Sequence, residues 1–285
     1  MRKTTVYFLV AVAGLLGVSL WSTWLVTHPV RIESGYEPRS YGMLFEEVSL
    51  AAEDGTSISG WFIPAPGAIT KPALLILHGY PAEKGDMLSI ARELHEDFNI
   101  LLIDFRYFGG SSGSSTALGT KEPMDIKAAM DFLEARGFQK AGVIGFSFGG
   151  SAAIVQASQD TRVSAVVSYA AFADLTRLGR DAYAHLPVIR EILVLLMKFW
   201  ARVVWDIDAS FSPEIAARRL MIPVLLIHSE SDEQVPFHHA LILQEALRGN
   251  DRAEFYFMPD AIHGELPPGF GTRVKDFFSR YRAFQ

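Results

Sequence analysis

The sequence predicts an α/β chain: a mostly parallel central sheet flanked by helices, with a helical cap inserted late in the sheet and a transmembrane helix at the amino terminus. Three observations carry this. Continuous apolar runs at Ala73–Leu77, Ile100–Ile103, Val143–Ile144 and Val224–Ile227 each stop at a glycine-rich or polar turn, the pattern of strands buried on both faces. The stretch Val6–Val26 contains about 21 residues without a charge, enough to cross a hydrocarbon core of about 30 Å as a helix. About fifty residues separate the strand at Val163–Ser168 from the one at Val224, whereas a parallel crossover needs only about a dozen.

At the amino terminus, Arg2 and Lys3 precede the apolar segment, Tyr7 lies near one end, and Trp21 and Trp24 lie near the other, where headgroups would be. A cleaved secretory signal is the alternative. Its apolar part is normally about 7 to 15 residues, and the one Ala-x-Ala here, Ala11-Val12-Ala13, lies inside the run. The expectation is an uncleaved signal-anchor over residues 1–30, a connector over 31–41, and a single domain over 42–285. The basic flank argues for a cytoplasmic amino terminus and a domain on the periplasmic or other extracytoplasmic side, an asymmetry that Arg31 and Arg39 partly offset.

The first buried strand delivers His78-Gly79-Tyr80, a glycine turn. The second ends at Asp104 and runs into Phe105–Gly113, a glycine-serine loop with neither a Walker lysine nor Gly-x-Gly-x-x-Gly, so no nucleotide cofactor is expected. Asp104 and Arg106 are expected to pair with each other and hold that loop. The third strand breaks into Gly145-Phe146-Ser147-Phe148-Gly149-Gly150, a Gly-x-Ser-x-Gly elbow in which a serine hydroxyl projects from a sharp strand-to-helix turn. Ser147 is the candidate nucleophile. The backbone N–H groups of Phe148 and Tyr80 are the candidate oxyanion donors.

Together with His228-Ser229-Glu230-Ser231-Asp232-Glu233-Gln234-Val235-Pro236, these segments resemble the α/β-hydrolase superfamily, most closely its membrane-anchored BEM46-like or ABHD13-like single-domain branch. The resemblance spans residues 42–283, with Ser229 where the family often has Gly and Tyr107-Phe108 where it often has Gly-His. It implies the α/β-hydrolase fold and a triad in the chain order Ser, acid, His. For the acid, the turn after Pro223–His228 offers Glu230, Asp232 and Glu233. Asp232 matches the family position, Glu230 is the next candidate, and Asp174 the third. For the base, His263 sits in the loop Pro259–Gly264 behind the strand Glu254–Met258, with His238 and His239 as rivals among eight histidines.

The insertion, about residues 172–212, contains the apolar and aromatic stretch Leu186–Trp205. Such a stripe is expected to pack down on its own domain, the alternative being an acyl-binding wall or a membrane-facing surface. Setting Arg2 and Lys3 aside leaves a net charge of about −8, which disfavours nucleic acid as a partner. The absence of cysteine excludes disulfides and cysteine nucleophiles. No metal and no cofactor are expected, because His238-His239 with nearby acids is too sparse for a zinc pattern and the triad needs no ion. The expected function is a membrane-anchored serine hydrolase cleaving small-molecule or lipid-like acyl esters or thioesters. A serine peptidase of aminopeptidase type is the first alternative, although few acids such as Asp181 and Glu191 are at hand to hold a free amino terminus. A non-catalytic domain of the same fold is the second.

Overall fold

The computed structural model describes residues 3–67, 71–281 and 283–284, so Arg2, half of the expected basic flank, lies outside the described residues. The chain begins with α1 (Lys3–Thr27), whose residues 3–14 are exposed all round and whose buried positions are Ser19, Thr23 and Thr27. Spaced four apart, these three fall on one face. Each hydroxyl donates back to a carbonyl of its own helix: Ser19 to Leu16 at 2.9 Å, Thr23 to Ser19 at 2.8 Å and Thr27 to Thr23 at 2.8 Å. A small polar stripe satisfied in this way can be packed against another helix without stranding a donor.

The sheet has eight strands among the described residues, in the order β1-β2-β4-β3-β5-β6-β7-β8. A hairpin, β1 (Glu46–Ala51) with β2 (Ser57–Ile63), forms one edge, and β2 runs antiparallel to β4 (Asn99–Ile103). From β4 onward the pairing is parallel through β3 (Ala73–Leu77), β5 (Ala141–Phe146), β6 (Val163–Tyr169), β7 (Val224–Ser229) and β8 (Ala253–Met258). The β3, β4 and β7 strands are buried at every residue, as their apolar runs Ala73–Leu77, Ile100–Ile103 and Val224–Ile227 require. Alternation still decides which layer each side chain joins. Leu75 and Leu77 face the layer of α3 (Glu122–Ala135), α4 (Phe148–Ala157), α7 (Pro213–Ala217) and α8 (His238–Ala246). Leu74 and Ile76 face α2 (Leu88–Leu94) and α9 (Phe270–Arg280).

Between β6 and β7 the chain leaves the sheet to form α5 (Leu175–Ala182) and α6 (Arg190–Trp205) before returning through α7. The α6 helix packs beside α1, and Trp200 donates its indole N–H to the Ser19 hydroxyl at 2.9 Å. It does not simply pack down on its own domain. Leu193, Val194 and Ala201 are buried, whereas Ile192, Leu195, Phe199 and Val203 are exposed.

One expectation is corrected at the end of β4. Asp104 and Arg106 do not pair with each other. Asp104 accepts from the Lys84 ammonium and from the amides of Lys84 and Gly110, at 2.8 and 2.9 Å for the amides. Arg106 turns toward α3 and grips Asp125 through two guanidinium nitrogens and its own amide, with Asp54 on its outer side at 2.6 Å. The two residues sit in a loop beyond the strand, so each takes the partner its own side of the loop presents. Removing one member of a buried pair strands the other charge. Asp104→Ala, which leaves the buried Lys84 without its carboxylate, is expected to lower stability by about 3 to 5 kcal/mol, read as a lowered midpoint in thermal melts of the detergent-solubilised protein.

Candidate active site

The third apolar strand, β5, ends at the elbow. Ser147 has φ 52° and ψ −114°, a conformation that side chains rarely adopt and that must be held by its surroundings. Its N–H donates to the Tyr169 carbonyl at 2.7 Å, and its own carbonyl accepts the Ser151 N–H at 3.0 Å, the first turn of α4. The flanking glycines are required by space. A Cβ on Gly145 would lie 2.2 Å from the Gly149 carbonyl oxygen, and one on Gly149 would lie 2.5 Å from the His78 carbonyl oxygen. This close approach brings the end of β3 against the start of α4, and Tyr80 and Phe148 thereby line one cavity with Ser147.

His263 also lines that cavity. Its Nδ1 donates to Asp232 Oδ2 at 2.7 Å, joining two loops 31 residues apart. Asp232 Oδ1 accepts the amides of Gln234 and Val235 at 2.9 and 2.8 Å. Burial works to raise the Asp232 pKa, but the His263 hydrogen bond and the two amides outweigh it and hold the carboxyl below its ordinary value. The loop bearing His263 is tied down at both ends. Ser229 Oγ accepts the Ala261 amide at 3.1 Å, Ser231 Oγ donates to the Pro259 carbonyl at 2.7 Å, and the Tyr169 hydroxyl donates to the Glu265 carbonyl. Phe146 packs its ring 4.9 Å from the imidazole.

The competing residues occupy other positions. Glu230 is exposed. Asp174 caps α5 by accepting the Arg177 amide at 3.0 Å. His78 is fully buried, donates to the Gly79 carbonyl and accepts the Phe105 amide, and burial pushes its pKa below the ordinary histidine value. His228 is likewise buried, with Nε2 donating to the Val235 carbonyl at 2.8 Å. Asp181, His238 and His239 bring three ligand-type atoms within 4.8 Å of one another, the one such group found among the described residues. The Ala173 amide donates to His239 Nδ1 at 3.1 Å, so the ring proton sits on Nε2 and points at Asp181, 2.9 Å away. That donor set is occupied by hydrogen bonds that fasten the cap helix α5 to α8.

The cavity has a volume of about 370 Å³, within the range of about 300 to 1,000 Å³ of small-molecule clefts. Its wall is mostly apolar, with Phe172, Leu178, Val194 and Met197 from the cap side and Lys198 as a charged residue. Lining residues that the sequence did not single out include Leu118 and, from α1, Thr23 and Val26, beside which the Tyr80 hydroxyl donates to the Val26 carbonyl at 3.1 Å. The signal that could have found the two on α1 was the Ser19, Thr23, Thr27 spacing, which marks a docked face on an otherwise apolar helix.

The family profile described as alpha/beta hydrolase fold matches residues 72–188. Among curated proteins, the chain is 24% identical over 251 residues to protein bem46 of Schizosaccharomyces pombe, covering 85% of this chain and 79% of that one. It is also 24% identical over 273 residues to the alpha/beta hydrolase domain-containing protein WAV2 of Arabidopsis thaliana, covering 89% and 85%. Among solved structures, an esterase of Pyrococcus furiosus superposes with a TM-score of 0.75 at 24% identity, covering 90% of this chain and 98% of that one. The acylaminoacyl peptidase of Pyrococcus horikoshii superposes with a TM-score of 0.63 at 20% identity, covering 84% of this chain and 42% of the peptidase.

The elbow packing sets a direct test. Gly149→Ala is expected to destabilise the protein, because the added methyl meets two backbone carbonyl oxygens at the end of β3, whereas Gly249→Ala, with open space around it, is expected to change the melting midpoint little. Paired thermal melts of the two variants read the difference.

Proposed function

We propose that this chain, which has the α/β-hydrolase fold, is a membrane-anchored serine hydrolase that cleaves acyl esters or thioesters. The observation that carries this reading is the His263–Asp232 hydrogen bond of 2.7 Å at the rim of an apolar cavity that Ser147 enters from its elbow. In the proposed reaction, Ser147 Oγ attacks the acyl carbonyl while His263 Nε2 takes the hydroxyl proton. Asp232 keeps the other ring proton on Nδ1 and stabilises the imidazolium. The oxyanion is held by the N–H groups of Phe148 and Tyr80, each worth about 3 kcal/mol in the transition state. His263 returns its proton to the departing alcohol or thiol, leaving an acyl ester on Ser147. Water then attacks that ester with His263 as base and frees the serine.

The cavity lining supports an ester or thioester over a peptide with a free amino terminus. Among the described residues, no carboxylate lines it, so nothing there would pair with an ammonium group. Anchoring is supported by α1, a 25-residue helix long and apolar enough to cross a membrane. The hydrogen bonds from Tyr80 to Val26 and from Trp200 to Ser19 favour an uncleaved segment over a removed signal. The catalytic domain is proposed to lie on the non-cytoplasmic side, and protease accessibility in sealed cells or vesicles tests that side.

A fluorophosphonate probe applied to the detergent-solubilised protein is expected to label the wild type and not Ser147→Ala. Equal labelling of both would remove Ser147 from the reaction, and a folded but unlabelled wild type would favour a non-catalytic domain. Asp232→Asn is expected to lower kcat on a short-chain ester by about 10⁴-fold, whereas Glu230→Gln, at an exposed position, is expected to keep a near-normal rate. The opposite outcome would move the acid to Glu230.

A further inference from the structure

The length of α1 does not match the way it is docked. Residues 6–14, the uncharged, apolar part that stands free of the domain, span about 14 Å, whereas a hydrocarbon core is about 30 Å thick. Crossing it needs about eleven more residues, which carries the core to about Leu25 and leaves Trp24 at the interface with Trp21 one turn inside it. That extra stretch is already occupied on one side. Ser19 accepts the Trp200 indole N–H, so the part of α6 beside it has to lie at the edge of the same hydrocarbon. The α6 helix is built for this. Val188, just before it, and then Ile192, Leu195, Phe199 and Val203 form one outward apolar stripe, with Glu191 and Arg202 along its margin where they can reach water. The opposite side of α6, at Val194 and Met197, lines the cavity that holds Ser147, and Val26 of α1, at the end of the membrane span, completes that wall.

We infer that α6 is seated in the membrane interface beside α1, and that the cavity between them takes the acyl chain of a membrane-resident, single-chain ester directly from the bilayer. The substrate class rests on the serine hydrolase reading; the position of α6 does not. The anchor is then part of the binding site, with Thr23 and Val26 contacting the chain.

The chain has no cysteine, so single substitutions carry a single label. An environment-sensitive fluorophore on Leu195→Cys or Phe199→Cys, in bilayers whose lipids carry brominated acyl chains, is expected to lose at least half its emission. The same label on Met221→Cys, exposed next to the start of β7 and so at the far end of the sheet from the site, is expected to keep it. Unquenched labels at 195 and 199 would overturn the seating of α6. In the same bilayers, a long-chain monoacyl ester is expected to turn over at least tenfold faster than the acetyl ester of the same alcohol, and Val26→Trp is expected to remove most of that difference. Equal rates on both esters would overturn the substrate class while leaving the hydrolase intact. No turnover of either, with no fluorophosphonate label on Ser147, would instead bring down the hydrolase reading and this substrate with it.

Discussion

Ser147 sits in a backbone conformation that costs on the order of 1 to 3 kcal/mol, and the surrounding architecture is arranged to hold it there. Three strands converge on the point. The carbonyls at the end of β3 leave room only for a glycine at 149, the carbonyl at the end of β6 accepts the Ser147 N–H, and β5 delivers the serine with a glycine at 145. No side chain larger than hydrogen fits between these segments, so the elbow fixes how closely α4 approaches the sheet. The same approach brings Phe148 and Tyr80 into the wall of the cavity that Ser147 lines. A strained serine is therefore a consequence of packing across three strands, not of its own local sequence alone.

The remaining parts of the candidate site depend on loops at the carboxyl ends of β7 and β8, where open α/β sheets place their ligands. Asp232 is immobilised by two amides and His263 by Asp232, while Ser229, Ser231 and Tyr169 fix the loop that carries the imidazole. On the other rim, Asp104 with Lys84 and Arg106 with Asp125 pin the loop beyond β4. Both rims use hydrogen-bonded charges, which resist rearrangement because each partner would be stranded in a low-dielectric surrounding.

The sheet core and the elbow were legible in the sequence because both are local. Buried parallel strands read as unbroken apolar runs, and Gly-x-Ser-x-Gly is a steric requirement written into five residues. The edge hairpin of β1 and β2 was not read, since the largely exposed Glu46–Ala51 shows no clean alternation. Partner choice was also hidden. Asp104 stands two residues from Arg106 in the sequence, yet the carboxylates Arg106 meets are those of Asp54 and Asp125, and only the path of the loop decides this. The participation of α1 in the cavity was hidden for the same reason, because it joins residues about 170 positions apart through packing on the cap. That packing makes the amino-terminal helix more than a tether, since its docked face and the cap helix enclose the space next to Ser147.

The most direct test of the account is a structure of the full-length protein in lipid after reaction with a long-chain alkyl fluorophosphonate. The account predicts phosphorus bonded to Ser147 Oγ, a phosphoryl oxygen within about 3.1 Å of the Phe148 and Tyr80 amide nitrogens, and the alkyl chain running between Val26 of α1 and Val194 of α6. Phosphorus on another residue, or a chain leading away from α1, would contradict it.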